Sequence, residues 1–404
     1  MSTLASLPPA KPDPSFSLIA AFLADENEQK VDLCPGFYRD ENGLPWILPS
    51  VEQAKARIHG DKTLNHEHLP LSGHQGLVRK SQELLFGQSR DLQRIASMQT
   101  VSGTGANHVA AKFLAAQFRP KNVWISDPSW VNHSEIWRYA GLGVQQRTYP
   151  YLSKSGQELD FQGLADTLRG QTTVGDVVIL HACAHNPTGI DPTEQQWHEI
   201  AAICREKKLF AVFDVAYQGF ASGDVAKDAY AIAHFYDCLD LEFAVAQSFS
   251  KNFGLYGERI GVVHFIGLGA QTSQHITPML TQLSRAEITS CPSYGARIIS
   301  EILTDKTLYA QWQEDLLQMS DRMKRMRQSL YDALKARNAR GSWDHLLTNI
   351  GMFSMTGLSG SQVAELRERH HIYLMPSGRL SVTGLTEANV DRVAVALCDV
   401  VGTN

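Results

Sequence analysis

Three apolar runs in this chain each end on side chains able to do chemistry. Leu209-Phe210-Ala211-Val212-Phe213 runs into Asp214, with Tyr217 close behind. Val177-Val178-Ile179-Leu180 runs into His181, and Asn186 follows. Phe243-Ala244-Val245-Ala246 leads to Ser248 and Lys251. The set offers an acid, a phenol, an amide, a hydroxyl and an amine. An amine held among apolar groups or beside another cation has a depressed pKa and can attack a carbonyl to form a Schiff base. Arg259 is eight residues on from Lys251 and suits both the cation and a phosphate contact. Asp214 closes five apolar residues and should be buried, where it needs a cation. A protonated ring nitrogen is a good one. Ser102-Gly103-Thr104-Gly105 precedes a helical pattern, and small residues at a helix N-terminus can cradle a phosphate. No Gly-Lys-Ser/Thr follows, so it is not a P-loop. Taken singly, each has a plain structural reading: a helix cap, a solvated lysine, a strand-end acid. Together they are what pyridoxal phosphate (PLP) requires: an amine to form the imine, a phosphate cradle, and an acid on the ring nitrogen.

The elements that must position these groups are legible around them. Val123-Trp124-Ile125 and Ile260-Gly261-Val262-Val263-His264-Phe265 add two further apolar runs. Helical patterns lie between, as in Thr193 to Lys207 and in Ala106, Ala110, Leu114 and Phe118 at every fourth position. Short apolar strands separated by helices predict an α/β fold, a mostly parallel sheet covered on both faces. Ligands of such sheets bind beyond the carboxyl ends of the strands. Residues 305–338 predict a long helix with Trp312, Leu316, Met319 and Met323 recurring, and 351–404 a compact α+β piece. Phe16, Ile19, Ala20 and Phe22 can share much of one helix face. Four prolines by position 14 predict an extended segment, with Leu4, Leu7 and Phe16 available for an arm to bury.

Composition narrows the function. The 404 residues carry 37 Lys+Arg against 42 Asp+Glu, a net charge of −5, which argues against nucleic acid or an anionic membrane as partner. No apolar run reaches the about 18 residues of a membrane span. Met1 to Pro14 has one Lys and no Arg and reads as neither a signal nor a transit peptide. Six scattered cysteines (Cys34, Cys183, Cys204, Cys238, Cys291, Cys398) read as reduced, buried and intracellular, with no metal-ligand spacing, so no metal is expected.

The chain resembles the class I aminotransferases of PLP fold type I, and within them the aspartate aminotransferases, over roughly 13–402. The resemblance is carried by His181-Ala182-Cys183-Ala184-His185-Asn186-Pro187-Thr188-Gly189, by Phe213 to Asp224, and by Gln247 to Gly261. It implies a large PLP domain over 47–318, a small α+β domain from 13–46 and 319–404, an N-terminal arm over 1–12, and a cytoplasmic homodimer with shared sites. Lys251 would hold the cofactor and carry the proton. Asp214, oriented by His133, would pair the ring nitrogen. Tyr217 and Asn186 would hydrogen-bond the ring hydroxyl, and Trp130 would stack on the ring. Ser102, Gly103, Thr104, Ser248 and Arg259 would bind the phosphate. Arg379 would grip the substrate α-carboxylate, near Asn186, and Gly36 would help cover the substrate. Arg285, from the other subunit, would bind a side-chain carboxylate and select aspartate and 2-oxoglutarate in a ping-pong exchange.

Three positions depart from the family pattern. Glu67-His68-Leu69-Pro70 places His68 where a Tyr usually reaches the partner's phosphate. Thr289-Ser290-Cys291-Pro292 replaces Ser-Asn-Pro-Pro, and Glu287 is near enough in sequence to pair with Arg285. Cys34-Pro35 could stiffen the closing segment by fixing φ. The competing readings are an aromatic or broad-specificity aminotransferase, a PLP lyase or decarboxylase, and a catalytically silent binding protein on the same fold.

Overall fold

The computed structural model describes residues 4–9, 13–34, 36–238 and 240–403. Pro35, and with it the expected stiffening, lies outside the described residues, as do 1–3 and 10–12 of the expected arm. The strands are β1 (Val31–Asp32), β2 (Ile95–Val101), β3 (Asn122–Asp127), β4 (Gln145–Pro150), β5 (Val177–His181), β6 (Phe210–Val215), β7 (Phe243–Ser248), β8 (Ile260–Ile266), β9 (Phe353–Met355), β10 (Ile372–Tyr373) and β11 (Arg379–Ser381). Strands β2 to β8 form one sheet in the order β2-β8-β7-β6-β5-β3-β4. The pairs among β3 to β7 are parallel, and β8 runs antiparallel to both its neighbours.

Each apolar run is buried on both faces, so alternate residues feed two cores. Val178 and Leu180 pack with the helices Phe161–Gln171, Glu194–Lys207 and Tyr230–Asp237. Val177 and Ile179 pack with Ser102–Gln117, Asn132–Ala140 and Gln271–Glu287. A third core surrounds the helix Lys306–Ala336, capped by Asp305, and takes in the helices Pro49–Gly60, Tyr294–Thr304 and Val390–Val401. Position 318, the expected domain boundary, falls inside this helix. β1 pairs with β10, and β9 with β11, in two small sheets.

Register decides where chemistry can gather. His181 pairs with Asp214, and Asp214 with Ala246, so the carboxyl ends of β5, β6 and β7 are level. Because β8 is antiparallel, its first residues lie beside the last of both neighbours: Gly261 opposite Ser248, Ile260 opposite Val101. Ser102 and Arg259 are thereby brought to the same rim as Lys251.

The helix Pro14–Ala24 forms with Leu18 as its buried residue; Phe16 is 74% exposed, and Leu4 and Leu7 are exposed too, so on this chain they stay available to an arm. Two expectations are corrected. Five cysteines are buried, whereas Cys238 is half-buried at the end of a surface helix beside His234. Two strands of the large sheet, β2 and β4, carry no continuous apolar run. No helix among the described residues is long and apolar enough to cross a membrane.

Candidate active site

The three strand ends and the turn after β2 line one cleft of about 160 Å³. Gly36, Ser102, Gly103, Thr104, Trp130, Asn186, Asp214, Tyr217, Ser248, Lys251 and Arg259 all face it. His133 and Arg379 reach it through Asp214 and Asn186. His68 and Arg285 do not line it; both are solvent-exposed on this chain.

Lys251 follows β7, half-buried, with its Nζ 5.6 Å from the centroid of the Tyr217 ring. Burial lowers its pKa, the nearby Arg259 and Arg379 charges lower it further, and Asp214 opposes them. Tyr217 is buried, which pushes its phenol up, so it stays a proton donor.

Asp214 ends β6, and its Oδ2 accepts from His133 Nε2 at 2.9 Å. Burial alone would raise this carboxyl. The His133 hydrogen bond and the charges of His133, His181 and Lys251 outweigh it and hold the group below its ordinary value. Ser129 Oγ lies 3.0 Å from His133 Nδ1 and 3.2 Å from His181 Nε2, continuing the chain of hydrogen bonds. The Trp130 ring stands edge-on to His133 at 5.1 Å.

Opposite Lys251, Ser102 opens the helix Ser102–Gln117 with φ of +70°, and Arg259 has φ of +58°. Left-handed backbone at two non-glycine residues costs energy and concentrates at functional sites. The two are tied directly, Ser102 N donating to Arg259 O at 2.9 Å. A Cβ at Gly103 would lie 2.5 Å from Ser248 Cβ, so only glycine fits there without displacement. The first helical turn thus sets backbone N–H groups beside the hydroxyls of Ser102, Thr104 and Ser248 and the Arg259 guanidinium, a cradle for a tetrahedral dianion.

On the small-domain side, Arg379 starts β11. Its Nη2 donates to Cys34 O at 2.8 Å and its Nη1 to Asn186 Oδ1 at 3.4 Å, while its Nε is buried without a partner among the described residues. Its Cζ lies 4.0 Å over the Phe353 ring. Glu287 does not pair with Arg285. It bonds Lys112, and lies 3.3 Å from His108 Nε2, while Arg285 Nη1 donates to Thr289 Oγ1 at 3.4 Å. Residues two apart on a helix face different sides, which separates the two.

Several wall residues had no role in the sequence reading. Tyr256 lines the cleft, and its hydroxyl accepts from Tyr38 N at 2.9 Å, tying the covering segment to the loop after Lys251. Phe37 meets Tyr256 edge-on at 5.0 Å. Tyr256 sits within the Gln247–Gly261 stretch, but its partner is 218 residues away, and no local pattern reports that contact. Cys183 and His181 also face the cleft.

Residues 28–397 match the family model for aminotransferases of class I and II. The chain is 43% identical to the cytoplasmic aspartate aminotransferase of Schizosaccharomyces pombe, across 97% of this chain and 96% of that protein. Among solved structures it is similar to the cytoplasmic aspartate aminotransferase of Saccharomyces cerevisiae. That match has a TM-score of 0.95 and 40% identity, and covers 99% and 98% of the two chains. An aromatic-amino-acid aminotransferase of Burkholderia pseudomallei, covalently bound to pyridoxal phosphate, also has a TM-score of 0.95, at 34% identity, with 99% and 100% covered.

Proposed function

We propose, because the chain belongs to the class I and II aminotransferases, that it exchanges an amino group between aspartate and 2-oxoglutarate with pyridoxal phosphate as cofactor. The observation that carries this reading is Lys251 in one cleft with Asp214 and the Ser102–Thr104 cradle. The residues fit the cofactor: the cradle has no room for a Cβ at Gly103, and Asp214 is an ionised acid with a free oxygen. When bound, the cofactor supplies an aldehyde that captures amines and a ring that withdraws electrons from the captured carbon.

The chain's own groups do the rest. Lys251, neutral more readily than an ordinary lysine, would hold the cofactor through its Nζ and would carry the proton at the substrate Cα. Asp214 keeps a proton on the ring nitrogen, and His133 holds the carboxylate in place. Tyr217 and Asn186 would hydrogen-bond the ring hydroxyl, and Trp130 would cover the ring. Ser102, Thr104, Ser248, Arg259 and the helix N-terminus hold the phosphate. Arg379 binds the α-carboxylate as a fork, and Gly36, on the 13–46 piece of the small domain, excludes water as that domain closes on 47–318.

Arg285 and His68 are solvent-exposed on this chain and do not line its own cleft, which supports a homodimer in which each acts on the partner's site. The aspartate aminotransferases of Schizosaccharomyces pombe and Saccharomyces cerevisiae carry cytoplasmic names, which supports that compartment here. Arg285→Leu tests the substrate class. Losing a two-bond carboxylate contact lowers kcat/KM for aspartate by about 10²–10³-fold and leaves phenylalanine within about threefold. Initial rates with 2-oxoglutarate measure both. Parent enzyme that prefers phenylalanine or tyrosine over aspartate overturns the dicarboxylate reading in favour of an aromatic one.

Gly103→Ala forces Ser248 out of the cradle. The expected result is a rise of about tenfold or more in the dissociation constant for pyridoxal phosphate with the fold intact. Cofactor titration of the stripped protein, read by absorbance, checks it; an unchanged constant removes Gly103 from the phosphate site.

A further inference from the structure

We propose that Arg327, on the helix Lys306–Ala336, is a positioning residue for Arg379. The inference rests on the reading that Arg379 binds the substrate α-carboxylate. Arg327 is 3% exposed, and among the described residues no carboxylate lies within 4 Å of it. A buried guanidinium without a counter-ion is costly, and an apolar side chain of the same length would fill the space more cheaply. What Arg327 has instead is backbone. Its Nη2 donates to Phe353 O at 2.6 Å, Gly351 O at 3.0 Å and Ile350 O at 3.4 Å. Burial lowers its pKa to about 9, which leaves it charged at neutral pH.

The segment so held is the seam beside the active site. Ile350 N donates to Gly189 O at 2.8 Å and Asn349 Nδ2 to Thr188 O at 3.0 Å, on the loop that carries Asn186. Gly189 has φ of +69°, and a Cβ there would lie 2.4 Å from Phe353 O, so this seam has no slack. Phe353 then pairs with Ser381 across β9 and β11, and its ring is the face over which Arg379 lies at 4.0 Å. Fixing the Phe353 carbonyl fixes the strand's entry angle and with it the ring. The ring sets the height of the guanidinium whose other contacts are Cys34 O and Asn186 Oδ1.

The test uses the cofactor-loaded enzyme. Arg327→Met should raise KM for aspartate and for 2-oxoglutarate together, by about tenfold, because both carry the α-carboxylate, and change kcat by less than about threefold. The calorimetric Kd for succinate, which needs no turnover, should rise by the same factor. Arg327→Lys, which keeps the charge and one or two carbonyl contacts, should restore about half of the loss on a logarithmic scale. Phe353→Leu should raise KM similarly, and the double variant no further, since the two act in series. Leu330→Ala, buried on the same helix, should lower the melting temperature and leave KM within about twofold. Unchanged KM in Arg327→Met, multiplied effects in the double variant, or an equal KM rise in Leu330→Ala overturns the proposal. If Arg327→Met does not fold, Arg327→Lys with and without Phe353→Leu decides by the same criterion. Succinate binding that survives Arg379→Leu overturns the carboxylate reading itself, and this proposal with it.

Discussion

Lys251→Ala stops transamination: kcat/KM for aspartate falls by at least about 10⁴-fold, since both nucleophile and proton carrier go. Among the described residues, the other ionisable groups of the cleft are poor substitutes. Arg259 keeps its proton. Tyr217 is held protonated by burial. His181 is the one imidazole among the described residues of the wall, and burial holds it well below its ordinary pKa. Its Nε2 lies 3.2 Å from Ser129 Oγ, and its Nδ1 accepts from Asn186 N at 3.4 Å, so neither nitrogen points free into the cleft. The check is the rate of oxo acid formation in parent and variant. Borohydride treatment adds a second readout: it should fix cofactor to the peptide containing Lys251 in the parent and to no peptide in the variant. A variant within tenfold of the parent rate sinks the assignment of Lys251 and the reaction built on it.

What could be read without coordinates follows burial. β3, β5, β6, β7 and β8 are apolar runs because both faces of their sheet are covered, and such runs announce themselves. β4 is an edge strand whose first four residues, Gln145 to Thr148, are exposed, so its composition is that of a loop. β2 is buried but partly polar for a different reason: its polar side chains find hydrogen-bond partners on β8 and in the neighbouring loops. Ser97 Oγ lies 2.7 Å from His264 Nδ1, and Gln99 takes His74 N and gives to Pro292 O. Hydrophobic periodicity cannot report a strand whose partners are hydrogen bonds.

The site divides the same way. Lys251 and Asp214 end or follow apolar strands, so the strand pattern puts them at one rim, whereas Ser102 joins them through the register of β2 on β8. Tyr256 and Phe37 enter through contacts more than 200 residues apart in sequence. Arg327 is a further case. Among Met323, Met326 and Leu330 it reads as one more polar residue on a long helix, and only its burial makes it a question. Arg285 shows the limit from the other side: motif spacing picks it out, yet one chain leaves it in solvent.

Asp214→Asn keeps the shape and removes the charge, and kcat falls by about 10²–10³-fold with KM changed far less. The carboxylate is level with the end of β6, 2.9 Å from His133 Nε2, and in the proposed function it would favour a proton on a ring nitrogen throughout the reaction. An amide has no charge to do so, and His133 must then offer its Nε2 to a neutral partner. His133→Asn, which removes only the orienting contact, should cost about tenfold or less, and the two effects should not add. The parent's pH behaviour carries an independent sign. Asp214 has a folded pKa below its unfolded value of 3.8, so it contributes stability at pH above that value, lost as pH falls through the lower, folded pKa. The variant lacks this contribution, so between pH 5 and the acid limit its melting temperature should fall less steeply than the parent's. Rates at saturating substrate, together with melting curves from pH 5 downward, test both halves. Asp214→Asn with kcat within threefold of the parent would show that the ring nitrogen needs no acid here, and the electron-withdrawing role of the cofactor would have to be supported by other residues.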